Sequence, residues 1–254
     1  MLPAERQEDI VKRVEQEGTV RVKELSSLYG VTEDCIRKDL AALEKKGLVR
    51  RSYGGAMRPR INLHTVSVAE RKDRNVEGKR QLAQLALPLI SENSLIFLDI
   101  STANVELARL LVTANIPVTV VTNMIAVMQV LAVPSPVSTI FVGGTFNSSF
   151  DGFVGSFTNQ QLEHFRFDAA FMGAAGVDVH RGDVLTYLAR DGFTKATVLN
   201  VSRTAYIMTE TEKLKNDGDF VYAHLQDFTG ILLDASPAAD ELKCMEAAGL
   251  RILL

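Results

Sequence analysis

Beyond residue 90 the chain is governed by short apolar runs that recur with helix-like segments between them. The runs are Leu95–Asp99, Val118–Thr122, Thr139–Val142, Ala169–Met172, Ala205–Met208 and Ile231–Asp234. A strand covered on both faces reads as a continuous apolar run, and its return to the same side of a sheet needs a crossover, usually a helix. The alternation therefore predicts an α/β domain with a mainly parallel sheet flanked by helices. The most apolar stretch, Ile116 to Val133, is broken by Thr119, Thr122, Asn123 and Gln129 and bracketed by Pro117 and Pro134. It reads as a buried strand followed by a helix and not as a membrane span.

The first 56 residues follow a different rhythm. Pro3 to Glu17 has helical composition, with Ile10 and Val14 on one face, Arg6 one turn earlier on the same side, and Gly18 past the end. Thr19 to Arg21 reads as extended. Val22, Leu25 and Leu28 recur every third residue and mark a brief second helix, closed by Tyr29-Gly30-Val31. Thr32 stands where an N-cap belongs, with Glu33 and Asp34 complementing the positive helix end. A third helix then runs to about Lys46, its apolar stripe made by Ile36, Leu40 and Leu43. Its opposite face carries Asp34, Lys38, Ala41, Ala42 and Lys45, flanked by Cys35 and Arg37. Past Gly47, residues Leu48 to Gly55 read as two short strands with basic side chains, the pattern of a wing.

Charge supports a division of labour. The formal net charge is -3, yet residues 1–60 hold 13 Lys and Arg against 10 Asp and Glu, whereas the remainder holds 15 against 21. A basic head on an acidic body suits a head that meets a polyanion. The two cysteines, Cys35 and Cys244, have no second Cys or His at metal-ligand spacing, so no disulfide framework, zinc site or metal is expected, and the reducing cytoplasm is the expected location. The acidic and basic residues among the first ten exclude a signal-peptide core there. No cofactor is called for.

Three short helices, a turn and a basic hairpin in that order form a winged helix-turn-helix, whose third helix enters the major groove of DNA. Cys35, Arg37 and Lys38 are placed to reach base edges, with Thr32 at the cap. Lys45, Arg50 and Arg51 add cationic contacts, the last two suiting phosphates from the wing. Small Ala41 and Ala42 permit close approach. Residues 57–75 are polar, include Pro59 and show no sustained apolar period, so a linker or hinge is expected there between domains at 1–56 and 76–254.

In the larger domain, polar and small residues follow the apolar runs: Asp99 with Ser101 and Thr102, Thr122 with Asn123, and Gly143 with Gly144. Open α/β sheets bind ligands at the carboxyl ends of their strands. Small residues there let backbone N–H groups approach an anion, although a paired glycine is also an ordinary turn and Thr-Asn an ordinary cap.

The run Val31 to Leu40, followed by Leu43-Glu44, Gly47 and Arg50 to Ala56, resembles the DeoR family of bacterial repressors. That family has Ser at the cap, Thr after the acidic pair, a second Arg, and His before the paired glycines, where this chain has Thr32, Cys35, Lys38 and Tyr53. Lys does not reproduce a bidentate Arg contact, so the base-reading code is expected to differ. The resemblance extends through Arg71, Asn75 and Lys79, Gly173 to Asp178, Gly182, Lys195 and Lys213. It implies a sensor domain similar to ribose-phosphate isomerases and CoA transferases that binds phosphorylated sugars.

By that resemblance Asp99, Ser101, Thr102, Ala103, Thr122, Asn123, Gly143, Gly144 and Lys195 line an effector pocket. Asp99 would accept from sugar hydroxyls, Lys195 would offer positive charge, and the small loop residues would donate to phosphate. Two departures alter the pocket. The family's Asp-x-Gly-Thr-Thr loop reads Asp99-Ile-Ser-Thr-Ala103, and its Asp-x-Ser-Lys segment reads Glu210-Thr-Glu-Lys213.

The expectation is a non-enzymatic repressor of a carbohydrate-utilisation operon, binding operator DNA as a homo-oligomer under control of a phosphorylated sugar, with no membrane partner. The alternative is a sugar-phosphate isomerase-like enzyme with an appended DNA-binding module, using Asp99 or Asp151 as base and Lys195 as electrostatic stabiliser. The four histidines, His64, His164, His180 and His224, show no spacing that implies chemistry.

Overall fold

The computed structural model of the chain describes residues 2–57 and 68–254. It divides into two compact units, Met1–Ile61 and Asn62–Leu254.

In the first unit, α1 (Pro3–Glu17) begins with proline at its first turn, and Glu5 accepts the backbone N–H of Leu2 at 3.0 Å. Both features satisfy an end that helical bonds leave open. Strand β1 (Thr19–Arg21) leads into α2 (Val22–Tyr29) and then α3 (Glu33–Lys45). Thr32 caps α3 as its sequence position predicts, its hydroxyl accepting from the Cys35 N–H at 3.3 Å. Strands β2 (Arg50–Ser52) and β3 (Gly55–Met57) form an antiparallel wing, and β1 completes a sheet ordered β1-β3-β2. Gly55 is required here, because a Cβ on it would lie 2.0 Å from the carbonyl oxygen of Val20.

The core of this unit is Ile10, Val14, Val20, Val22, Leu25, Ile36, Leu40, Leu43, Val49 and Ala56. Leu28 departs from the expected stripe and is 52% exposed. At about 100° per residue, two steps of three leave Leu28 roughly 120° from Val22, off the buried face.

The second unit opens with α4 (Val68–Asp73) and α5 (Val76–Ala86), the latter capped by Asn75, whose Oδ1 accepts from the Gly78 N–H at 3.2 Å. The linker expected over 57–75 is thus helical in its last part, where Arg71 and Asn75 bond to distant residues of the same unit. Residues 58–67, with Pro59 and His64, lie outside the described residues.

The central sheet takes β4 (Leu95–Leu98), then α6 (Thr102–Ala114), β5 (Thr119–Thr122), α7 (Ile125–Leu131) and β6 (Ser138–Phe141). A hairpin of β7 (Thr145–Asn147) and β8 (Gly152–Val154) precedes α8 (Ser156–Leu162) and β9 (Phe167–Met172). Two short strands, β10 (Gly176–Asp178) and β11 (Asp183–Thr186), lead to α9 (Ala189–Asn200) and β12 (Ser202–Thr209). The chain ends with β13 (Phe220–His224), β14 (Gly230–Leu233), α10 (Ala239–Ala247) and β15 (Arg251–Leu253).

Seven strands pair in parallel in the order β15-β14-β12-β9-β4-β5-β6, and β10-β11-β13 make a separate antiparallel sheet. All six apolar runs lie in the parallel sheet. Residues alternate along each strand between two cores. Ile96, Leu98, Val120 and Phe171 pack with α5, α6 and α7, whereas Phe97, Val121, Met172 and Ile207 pack with side chains of α8, α9 and α10. From β4 the chain progresses to one side through β5 and β6, then returns to β4's other side with β9. The order therefore reverses between β4 and β9, and at such a switch point two strand ends diverge and leave a crevice.

Candidate functional site

The third helix of the first unit presents Arg37, Lys38 and Lys45 as exposed side chains, with Ala41 and Ala42 half-buried between them. Arg37 spans two carboxylates of its own first turn, Glu33 at 2.6 Å and Asp34 at 2.8 Å, and its side chain stays 53% exposed. These ion pairs are weak in water and exchangeable for a phosphate or base. Arg51 is exposed on the wing, and its backbone N–H donates to Glu44 Oε1 at 2.9 Å, fixing β2 to α3. Arg50 is half-buried against Met57, and Tyr53 at the turn is fully exposed.

Cys35 occupies a different place from that expected on the reading face. It is half-buried, and its Sγ accepts from Arg6 Nη2 at 3.2 Å. The reason is a buried ion pair absent from the sequence reading, Arg6 Nε to Asp39 Oδ2 at 2.6 Å, which draws the guanidinium against the inner side of α3.

The second site forms at the β4–β9 switch point. Asp99 follows β4 and Gly173 follows β9, and the Gly173 N–H donates to Asp99 Oδ2 at 2.8 Å. Lys195, from α9, donates to the same oxygen and lies 3.6 Å from Asp191 Oδ2. Asp99 and Lys195, 96 residues apart in sequence, are thus brought together. Thr186 donates to Asp191 at 2.6 Å, and the Lys195 ammonium stands 5.7 Å from the centre of the Tyr222 ring, whose hydroxyl donates to the Gly173 carbonyl at 3.0 Å.

All of these groups are buried, so their charges are strongly interdependent. Burial pushes the Asp191 carboxyl up against the opposing pull of Lys195. Burial alone would lower Lys195, but Asp191 and Asp99 together raise it, so it holds its proton. Burial, with Asp99 and Asp191 adding, lifts Tyr222 well above the ordinary phenol value. The positive charge expected of Lys195 is therefore met inside the site by two carboxylates.

The loop after Asp99 also satisfies itself in part. Ser101 caps α6 by accepting from the Ala103 N–H at 3.3 Å, and Asn104 Nδ2 donates to the carbonyls of Asp99 and Phe171. Thr102 and Ala103 are buried in the first turn of α6. Thr122 donates to the Leu98 carbonyl at 2.7 Å, and Asn123 Nδ2 donates to the Phe153 carbonyl at 2.8 Å while its Oδ1 is buried with no partner among the described residues. Gly143 leaves open space where a side chain would stand, whereas a Cβ on Gly144 would meet Thr158 Oγ1 at 1.9 Å. Asp151, the other candidate base, accepts from the Ala126 N–H at 3.1 Å and so caps α7.

Sequence reading left Asp191 out of the site, whereas the resemblance already sets the Glu210–Lys213 segment at the pocket. Asp191 sits four residues before Lys195 on α9, a spacing that places the two on one face. Glu210 pairs with Lys213 at 2.7 Å and with Lys79 at 3.9 Å, and these two lysines hold its carboxyl below the ordinary value although burial acts the other way. Lys79 in turn donates to the carbonyls of Arg71 and Arg74.

Residues 6–61 match the family model of the DeoR-like helix-turn-helix domain, and residues 74–235 match that of the DeoR C terminal sensor domain. The chain belongs to the DeoR family of transcriptional regulators. Among relatives of this DeoR-family chain is a putative aga operon transcriptional repressor from Escherichia coli O157:H7, 31% identical over 99% of the chain and 93% of the relative. An L-fucose operon activator from Haemophilus influenzae is 30% identical over 91% and 92% of the two chains. The lactose phosphotransferase system repressor of Streptococcus mutans is 28% identical over 92% and 93%. Among solved structures, ribose 5 phosphate isomerase A from Neisseria gonorrhoeae gives a partial likeness, with TM-score 0.38 and 17% identity over 54% of the regulator and 52% of the isomerase. No described helix of the regulator is long and apolar enough to cross a membrane.

Proposed function

We propose that this DeoR-family regulator represses a carbohydrate-utilisation operon by binding its operator through α3 and the wing, and that a phosphorylated sugar held at the β4–β9 switch point controls that binding. The observation that carries the first half is the exposed cationic row of Arg37, Lys38 and Lys45, continued by Arg51 on a wing bonded to the same helix. Thr32 supports the row as cap, Arg50 stands beside it, and Cys35 contributes through its bond to Arg6 instead of through a base contact. The relatives named for sugar operons support the choice of target genes. Operator reading by helix-turn-helix modules uses two half-sites, so the working form is at least a homodimer.

In the second half, Asp99, Ser101, Thr102, Ala103, Thr122, Asn123, Gly143, Gly144 and Lys195 line the effector site. The buried carboxylates suit sugar hydroxyls as hydrogen-bond donors. The reading is that the site binds its ligand without turning it over: the relatives are named as operon regulators, and Asp99 and Asp151 each have a structural task, Asp99 holding Lys195 and Gly173 and Asp151 capping α7. The test is selection of duplex DNA from a random pool by the full chain, followed by affinity measurement. A selected sequence bound at least 100-fold more tightly than random duplex is expected; equal affinity for both would contradict operator reading. Product formation from a panel of sugar phosphates would contradict the non-catalytic reading.

A further inference from the structure

Four cations have been placed around the strand ends, and three are already neutralised or fully engaged. Lys195 lies between Asp99 and Asp191, Lys213 is on Glu210, and Lys79 is held by Glu210 and two carbonyls. Arg71, on α4, is different. The single hydrogen bond that its side chain makes among the described residues runs from Nη2 to the carbonyl of Ser149 at 3.0 Å, and its Nε is buried with no partner among them. No carboxylate among the described residues forms an ion pair with it, yet its guanidinium stands 5.9 Å from the centre of the Phe150 ring, half-removed from water.

A buried, unpaired guanidinium donor is costly, and arginine's planar fork matches a phosphate better than any neutral acceptor. Burial depresses the guanidinium. Its bond to Ser149, in the turn between β7 and β8, and the hold of Lys79, itself paired with Glu210, on its carbonyl set it beside the groups at the strand ends. The nearby carboxylates are committed elsewhere: Asp151 caps α7, Asp191 holds Lys195 and Thr186, and Glu210 holds Lys213. An external anion is the natural partner that remains.

We infer that Arg71 is the residue that grips the phosphoryl group of the effector, with Nε and the neighbouring amino group as a two-pronged donor beside the 147–151 loop. This rests on the sensor reading above and refines it: the sugar hydroxyls meet Asp99 and its neighbours, and the phosphate meets Arg71 instead of the Ser101–Ala103 turn. Because Lys79 holds the Arg71 carbonyl, the side chain reaches out from a backbone already anchored to α5.

The test uses the full chain and its Arg71→Gln, Arg71→Lys and Arg80→Gln variants. Arg80 is an exposed control paired with Glu77 at 3.5 Å. Thermal shift and calorimetry are run with inorganic phosphate, with hexose 1- and 6-phosphates, and with the parent hexoses. For a hexose phosphate that binds the unaltered chain, Arg71→Gln is expected to weaken affinity about 30-fold and Arg71→Lys by a smaller factor, with Arg80→Gln unchanged. The parent hexose should bind all four proteins alike.

If Arg71→Gln and Arg71→Lys both bind the hexose phosphate as the unaltered chain does, the Arg71 assignment is overturned and the sensor reading stands. If no phosphorylated compound binds the unaltered chain, both fall. Should Arg71→Gln fail to fold, Arg71→Lys alone decides, since it keeps the charge and loses only the fork.

Discussion

Arg6 Nε and Asp39 Oδ2 meet at 2.6 Å inside the DNA-binding unit, with only 6% of either side chain exposed. The pair joins α1 to α3 across 33 residues of sequence, and Gln7 donates to the second Asp39 oxygen at 2.9 Å. Asp39 directly follows Lys38, so the contact sets the angular position of the cationic row that α3 offers to DNA.

Removing one partner of a buried pair leaves the other charge without compensation. Asp39→Ala is expected to cost about 3 kcal/mol, the lower end of the range for buried pairs because a unit this small keeps every group near water. Urea titration of the full chain, with hydrogen exchange read at the amides of α1 and α3, checks this. A loss below about 1 kcal/mol would mean that the pair behaves as a surface pair.

Arg37 and Lys38 are expected to act differently from Arg51 on DNA. Arg37→Ala and Lys38→Ala should each weaken binding to the selected operator by about 1–3 kcal/mol and relax its sequence preference. Arg51→Ala should weaken all sequences alike and lower the salt slope by about 1. Fluorescence anisotropy across a salt series separates the two patterns; unchanged affinity in both helix variants would remove α3 from the interface.

Lys195→Met strips the cation from between Asp99 and Asp191. The expected cost to the sensor unit is about 3–5 kcal/mol near neutral pH. Without the ammonium the Asp191 carboxyl rises further, and a raised carboxyl contributes stability that is present below its unfolded value and lost as pH rises. The deficit relative to the unaltered chain should therefore shrink toward pH 4. Denaturation at several pH values reads this, and a deficit independent of pH would contradict the electrostatic account.

Tyr29 donates to Asp9 Oδ2 at 2.6 Å, and Arg13 donates to the same oxygen at 3.1 Å. Tyr29's hydroxyl and then Arg13 hold Asp9 below its ordinary value of 3.8, and burial followed by the bond to Asp9 pushes Tyr29 up to about 12. Asp9's lowered value contributes stability present above the unfolded value and lost as pH falls through the folded one. Tyr29's raised value contributes stability present below 10.0 and lost as pH rises toward about 12. Tyr29→Phe should lower stability by about 1 kcal/mol on the plateau and flatten both flanks. A profile parallel to that of the unaltered chain would refute the coupling.

The parallel strands were legible because burial on both faces leaves a continuous apolar run, as at Ile96-Phe97-Leu98. Strand β15 was not, since Arg251 opens it and it lies at the sheet's edge, and β10, β11 and β13 are short pieces whose pairing is set by contacts between distant residues. The α3 stripe could be read from its period alone, while Leu28 misled because a spacing of three drifts around a short helix. The meeting of Asp99 with Lys195 depends on the return of β9 to pair beside β4, which spacing does not encode. Asp191 was within reach as the carboxylate one turn before Lys195. Arg6 with Asp39 was not, because an arginine on an apolar face carries no local mark of its partner.

The central claim is that occupancy of the strand-end site changes operator binding. Its most direct measurement is the affinity of the full chain for its selected operator, by anisotropy, without and with a saturating hexose phosphate that raises the protein's melting temperature. Coupling between the sites predicts a shift of about 5–150-fold. An unchanged affinity at saturation, for every compound that stabilises the protein, would contradict it.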